Sequence, residues 1–287
     1  MRSTNLMLIG WLAACSSSPE DMDAGTASAM DAGPLEAGGG DAANDSGGDE
    51  PCLVADDGAS TGSGLYAVES MELAPGRDGA SVYYPAGIAE SGCAFAVIGW
   101  GNGTSSMGGD AYPAYFERLA SHGFVVAVAH TNFAAAGPVI LDTAALVLAL
   151  NDDPESPFFG KLRRAYGVMG KSQGAIAAAR DVNLDPDAVA AVMVAGSMGT
   201  VTRPALFATG TTDFLQGQTL GGYEAATEAA VYAEATDVDH LGLDESVPVA
   251  QLATSFMRCH LQGDAGACAY LACEECRVEA WSAYQVK

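Results

Sequence analysis

Six short runs of apolar and β-branched residues, at 94–100, 124–130, 165–170, 188–195, 204–210 and 231–236, are separated by segments of helical pattern. A run that is apolar at successive positions is buried on both faces, and strands of that kind belong to a parallel sheet with helical crossovers. Tyr112, Tyr115, Phe116 and Leu119, spaced i, i+3, i+4 and i+7, predict a helix between the first two runs. Further helices are expected over 138–150, 173–181 and 246–261, and an antiparallel portion around 81–84 should precede the first parallel strand. The fold class read from this pattern is α/β, with a mainly parallel sheet and helices on both faces.

The rest of the chain is organised around that core. Residues 1–15 carry Arg2, an apolar stretch from Leu6 to Ala14 and then Cys15, which reads as an export signal too short to span a bilayer. Leu12-Ala13-Ala14-Cys15 resembles a bacterial lipobox, which implies cleavage before Cys15 and lipidation of its thiol. Residues 16–50 are Asp, Ala, Gly and Ser with hardly a large apolar side chain, too little to offset the entropy of ordering. They are expected to be a disordered acidic linker, leaving 51–287 as one catalytic-size domain. The remaining six cysteines, Cys52, Cys93, Cys259, Cys268, Cys273 and Cys276, make an even set for an oxidising compartment. Cys52 with Cys93, and the last four among themselves, is the expected pairing. Zinc at Cys273-Glu-Glu-Cys276 is the lesser reading, because no paired His follows at ligand spacing. With 12 basic and 36 acidic residues the chain carries a formal charge of -24, which opposes a nucleic-acid partner. The domain alone has 27 acids against 11 bases. Contact with a membrane is expected only through the lipid anchor, and the protein is expected to be a monomer.

Chemistry concentrates where the third run ends. Tyr166 to Gly170 leads into Gly170-Lys171-Ser172-Gln173-Gly174, and an Ala-rich helix start follows. A serine on so tight a strand-to-helix turn needs a small residue two positions before it and two after, which Gly170 and Gly174 supply. The helix N-terminus beyond Ser172 also favours negative charge developing beside it. A serine nucleophile needs a base, and the base needs an orienting carboxylate. Of the four histidines, His122 and His130 precede the serine and His260 falls inside an expected helix, which leaves His240 in the loop after the last run. Asp213 follows the buried run 204–210 and a glycine turn, a place from which a carboxylate reaches His240; Asp237 and Asp239 lie too near the histidine to swing behind its ring. Stabilising an oxyanion requires two backbone N–H donors. Gln173 supplies one, and Asn102 in Gly101-Asn102-Gly103, with Gly103 as the next choice, supplies the other. A phosphate-binding reading of that glycine turn fails because the Lys and Ser/Thr of a P-loop are missing. Lys171 is expected to lay its stem on the protein and hold its head in water.

With these residues in view, the segment Leu119-Ala120-Ser121-His122-Gly123-Phe124-Val125-Val126, followed by Thr131-Asn132, resembles the cutinase and polyester-hydrolase branch of the α/β-hydrolase superfamily. That branch includes the poly(ethylene terephthalate) hydrolases and lies near the dienelactone hydrolases. The similarity runs over residues 65–261. It implies a lidless α/β-hydrolase fold, a Ser172, Asp213, His240 triad, a structural His122, and hydrolysis of carboxylic esters without a cofactor. The chain departs from the family at Lys171 and Gln173, where His and Met are usual. It departs again at Asn102 and Gly196-Ser197-Met198-Gly199, where polyester-degrading members place aromatic residues. Activity on short soluble esters is therefore expected rather than on aromatic polyester. A non-catalytic surface-binding lipoprotein on the same architecture, and an acyltransferase or peptidase with the same triad, are the alternatives the sequence leaves open.

Overall fold

The computed structural model describes residues 51–52, 58–73, 79–104, 111–273 and 280–287. Cys15 and the expected signal and linker, with Cys276, lie outside the described residues.

The described chain folds into a mixed α/β domain around one nine-stranded, mostly parallel sheet. In chain order the elements are β1 (Val68–Leu73), β2 (Ala80–Pro85), β3 (Ala96–Gly101), α1 (Pro113–Ser121), β4 (Phe124–Ala129), α2 (Val139–Leu148), β5 (Tyr166–Lys171), α3 (Gln173–Asp181), β6 (Ala188–Val194), β7 (Ala205–Gly210), α4 (Gln216–Ala225), β8 (Ala230–Ala235), α5 (Val247–Met257), α6 (Ala265–Ala272) and β9 (Trp281–Val286). The strands lie in the order β1-β2-β4-β3-β5-β6-β7-β8-β9. β3 to β8 are parallel, while β1, β2 and β9 form antiparallel margins.

Alternation along each strand divides the core into two layers. Val125 and Ala127 of β4 face Ile140, Ala144 and Val147 of α2 and the alanines of α3. Phe124, Val126 and Val128 face Tyr115, Phe116 and Leu119 of α1 and Val249, Leu252 and Phe256 of α5. All six predicted runs are strands, and the predicted helices are all present. The last of them ends its α-helical part at Met257 and continues as a π-helical turn, Arg258–Gln262. Four elements had no clear signature: β1, α4, α6 and β9. Among the described residues no helix is long and apolar enough to cross a membrane.

The topology fixes where a site can form. From β3 the chain goes to β4 on one side, and it then returns to place β5 on the other side of β3. The carboxyl ends of β3 and β5 thus border a topological switch point, the crevice where open α/β sheets bind ligands. Gly101 of β3 pairs in register with Gly170 of β5 at that edge.

Two expected disulfides are present, Cys52–Cys93 and Cys259–Cys268, and Cys273 is also disulfide-bonded. They are compatible with an oxidising compartment. Cys52–Cys93 spans 41 residues and Cys259–Cys268 only 9. Loop-closure entropy assigns about 4 kcal/mol to the first and about 3 kcal/mol to the second. Urea unfolding of Cys52→Ser/Cys93→Ser should accordingly show the larger loss of stability and Cys259→Ser/Cys268→Ser the smaller; the reverse order would show that native-state strain outweighs loop length.

Candidate active site

Ser172 occupies the turn between β5 and α3 with φ 57° and ψ -120°, a conformation that costs a non-glycine residue of order 1–3 kcal/mol. The surrounding backbone leaves no alternative. A Cβ on Gly170 would lie 2.2 Å from the carbonyl oxygen of Gly174, and one on Gly174 would lie 1.9 Å from that of Gly101. The glycines therefore let β3, β5 and α3 meet at van der Waals distance, and the turn holds Ser172 out at the sheet edge. Its amide donates to the Val194 carbonyl at 2.8 Å, which fixes the turn to β6.

The other two predicted members meet it there. His240 Nε2 is 3.1 Å from Ser172 Oγ, and His240 Nδ1 is 2.8 Å from Asp213 Oδ1. Asp213 is buried, and three donors hold its carboxylate in place. Oδ1 accepts from the Leu215 amide as well as from the imidazole, and Oδ2 accepts from Thr209 Oγ1 at 2.9 Å. These contacts hold the carboxylate against one edge of the imidazole, so that the ring presents Nδ1 to Asp213 and Nε2 to Ser172. The rival acids serve the loop backbone. Asp239 Oδ1 accepts the Gly242 amide at 2.7 Å, while Asp237 sits at φ 57° with its amide donating to Thr211 Oγ1.

The remaining histidines have other employment. Buried His122 bonds the Arg118 carbonyl through Nδ1 at 2.8 Å. His130 lies between Ser81 and Glu72, and His260 stacks on Phe256, where burial pushes its pKa down.

Around the serine, Gln173 is the first residue of α3, so its amide has no partner within the helix. Its side chain bridges two loops, donating to Thr104 Oγ1 at 2.9 Å and the Asn132 carbonyl at 2.5 Å. Asn102 is buried with its side chain spent on the scaffold: Oδ1 accepts from Trp100 Nε1 and Nδ2 donates to the Ala129 carbonyl. The Gly103 amide, the second choice, donates to Tyr112 OH at 3.3 Å. Gly103 sits directly beside the serine, since a Cβ there would come within 3.4 Å of Ser172 Cβ.

Lys171 contradicts its expectation. It is only 4% exposed, and its ammonium lies 2.6 Å from Asp244 Oδ1. The sequence hides this because the partner is distant along the chain and only the fold brings the two together.

A second feature also escaped sequence reasoning. Phe214, next to Asp213, is 77% exposed and its ring lies 4.2 Å from that of His240, centroid to centroid. Met198 and Leu241 are exposed on neighbouring loops: Met198 follows Gly196, whose Cβ position is 3.0 Å from the Ser172 carbonyl, and Leu241 follows His240. The only sequence signal for Phe214 was a large apolar residue placed in a turn. No protein-family model matches the chain, and no curated protein matches it.

The close contact at the turn is testable by stability alone. Gly174→Ala should destabilise the fold by about 3 kcal/mol or more in urea unfolding, because the backbone of Gly101 and Asn102 that the new methyl would strike cannot yield. Gly217→Ala in α4, where a Cβ meets nothing within 4 Å, should be neutral or stabilising by up to about 1 kcal/mol.

Proposed function

We propose that this chain is an exported serine hydrolase of the α/β-hydrolase kind, lidless, which cleaves carboxylic esters through an acyl intermediate on Ser172. The observation that carries the proposal is the continuous hydrogen-bonded chain from the buried carboxylate of Asp213 through both ring nitrogens of His240 to Ser172 Oγ. Its placement at the end of β5, beside the switch point of the sheet, supports the same reading. The lipobox-like Leu12-Ala13-Ala14-Cys15 supports attachment of the enzyme to a cell surface through a lipid on Cys15.

The geometry supports a stepwise reaction. Ser172 Oγ attacks the ester carbonyl as His240 Nε2 takes its proton, and Asp213 stabilises the imidazolium without being protonated itself. The carbonyl oxygen becomes an oxyanion against the amides of Gln173 and Asn102, at the positive end of α3. His240 returns the proton to the departing alkoxide, which leaves as the alcohol and the acyl-enzyme behind. Water, activated by His240 in the same way, releases the carboxylic acid and restores Ser172. Exposed Phe214, Met198 and Leu241 offer apolar surface to the substituents of the ester, while Asn102 and Gly196-Ser197-Met198-Gly199 put no aromatic residue at the positions of a polyesterase clamp. Short soluble esters suit this surface.

The purified protein should hydrolyse p-nitrophenyl acetate, and a series of longer acyl chains will size the pocket. Ser172→Ala should reduce kcat on the order of 10⁴-fold or more with the fold intact. A folded wild-type protein inert toward oxyester and thioester alike would overturn the reading in favour of a binding protein, and preferential cleavage of amides would make it a peptidase.

A further inference from the structure

The residue immediately before Ser172 is a lysine whose charge is buried, and its partner belongs to the loop that carries His240. Lys171 closes β5, and Asp244 closes the short 3-10 turn Gly242–Asp244, which begins two residues after His240. On its way to Asp244 the lysine stem passes the oxyanion loop, since a Cβ on Gly103 would lie 3.5 Å from Lys171 Cδ. Tyr112, the residue before α1, and Tyr115 within it line the same space. Tyr112 OH receives the Gly103 amide, and Tyr115 OH donates to the Leu243 carbonyl at 2.7 Å. Burial, and secondarily the Asp244 carboxylate, pushes the Tyr115 pKa up, so that hydroxyl remains a donor.

Stability alone does not account for such a pair. Desolvating two charges costs about as much as their attraction returns, and apolar residues of the same volume commonly do as well or better. What this pair adds is a connection. The loop bearing His240 is tied down before the histidine, where the Asp237 amide donates to Thr211 Oγ1 and the Thr212 amide to the Val238 carbonyl. It is tied down after the histidine by Asp244, to the strand that leads into Ser172.

We propose that Lys171 and Asp244 form a positioning pair for the Ser172–His240 dyad: the pair anchors the histidine loop to the nucleophile strand, and the balance of its charges sets the proton affinity of the imidazole. This rests on the reading of Ser172 as a nucleophile. The charged and titratable groups that contacts fix around the loop are Asp213 on the ring itself, Asp244 paired with Lys171, Asp239 within the loop, Tyr115 of α1 on the Leu243 carbonyl, and Tyr112, the residue before α1, on the Gly103 amide. Loss of the Lys171 cation leaves an unopposed carboxylate that favours the imidazolium, whereas loss of the Asp244 charge leaves an unopposed cation that disfavours it. The two single substitutions therefore act with opposite sign, which a purely structural contact would not do.

The test uses the full chain as wild type, Lys171→Met, Asp244→Asn and Lys171→Arg. Two quantities are read: the pH dependence of kcat/KM on p-nitrophenyl acetate, and the titration of the His240 ring followed directly by NMR. In both, the acid-side midpoint should rise by about one pH unit in Lys171→Met and fall by about one in Asp244→Asn. The kcat of each should drop about tenfold or more with KM within about twofold. Lys171→Arg, which keeps the charge, should hold the wild-type midpoint. Midpoints unmoved in both single variants, or moved in the same direction, would overturn the proposal. If Lys171→Met does not fold, a downward shift in Asp244→Asn against an unmoved Lys171→Arg supports it, and no shift in Asp244→Asn refutes it. The NMR titration separates the two readings: signed shifts in an inactive protein uphold the coupling while the esterase reading fails, and an active enzyme without them refutes the coupling alone.

Discussion

Three backbones meet at Ser172 at a distance that only glycine permits. Gly101 at the end of β3, Gly170 in β5 and Gly174 in α3 contact one another through main-chain atoms. Because they do, α3 starts directly over the sheet edge, Ser172 is held in a conformation it would not choose, and the loop after β3 runs past its side chain. The strain of order 1–3 kcal/mol is small against the burial of the flanking strands, every residue of which is buried in β3, β4 and β5. A rigid sheet can hold one residue in an unfavourable geometry because relaxing that residue would require moving all three backbones together.

The histidine and the aspartate are placed by less rigid means. Each comes from a loop after a strand, β7 for Asp213 and β8 for His240, and each loop is fixed by its own short polar bonds. Thr209, Thr211 and the Leu215 amide supply them on one side, Asp239 and Asp244 on the other. The division has a consequence for the acids of this region. Asp213 is the carboxylate that reaches the imidazole, whereas Asp239 and Asp244 hold the loop that presents it.

The features legible in the sequence were those carried by local pattern. Continuous apolar runs gave β3 to β8, and the amphipathic spacing of Tyr112 to Leu119 gave α1, because burial on both faces or on one stripe leaves a mark on every residue. β1 and β9 are margins of the sheet with alternating or exposed positions, so their sequences, Val-Glu-Ser-Met-Glu-Leu and Trp-Ser-Ala-Tyr-Gln-Val, do not separate from a loop. α4 contains three glycines and no clear apolar stripe, and α6 depends on its Asp264 cap and the disulfide at Cys268. The proposed triad was legible because the serine turn constrains its own neighbours and only four histidines compete. The exposed ring of Phe214 on His240 and the buried head of Lys171 were not, because each is defined by a partner far away in sequence.

The cations repeat that lesson across the molecule. In a domain with 27 acids and 11 bases, a basic side chain has many partners to choose from, yet several of those described are spent on backbone carbonyls. Arg118 donates to the carbonyls of Ser60 and Gly62, Lys161 to Ser91, Arg163 to Leu261, and Arg180 to Ala135 and Gly137. Such a bond joins a charged donor to a neutral acceptor, so it does not weaken when surrounding carboxylates titrate, and it ties together stretches of chain far apart in sequence. Lys171 follows the same logic with a carboxylate as acceptor and the His240 loop as cargo. Scarce positive charge is deployed here where chain segments must be held together, and the most buried lysine of the set holds the two segments on which the proposed chemistry depends.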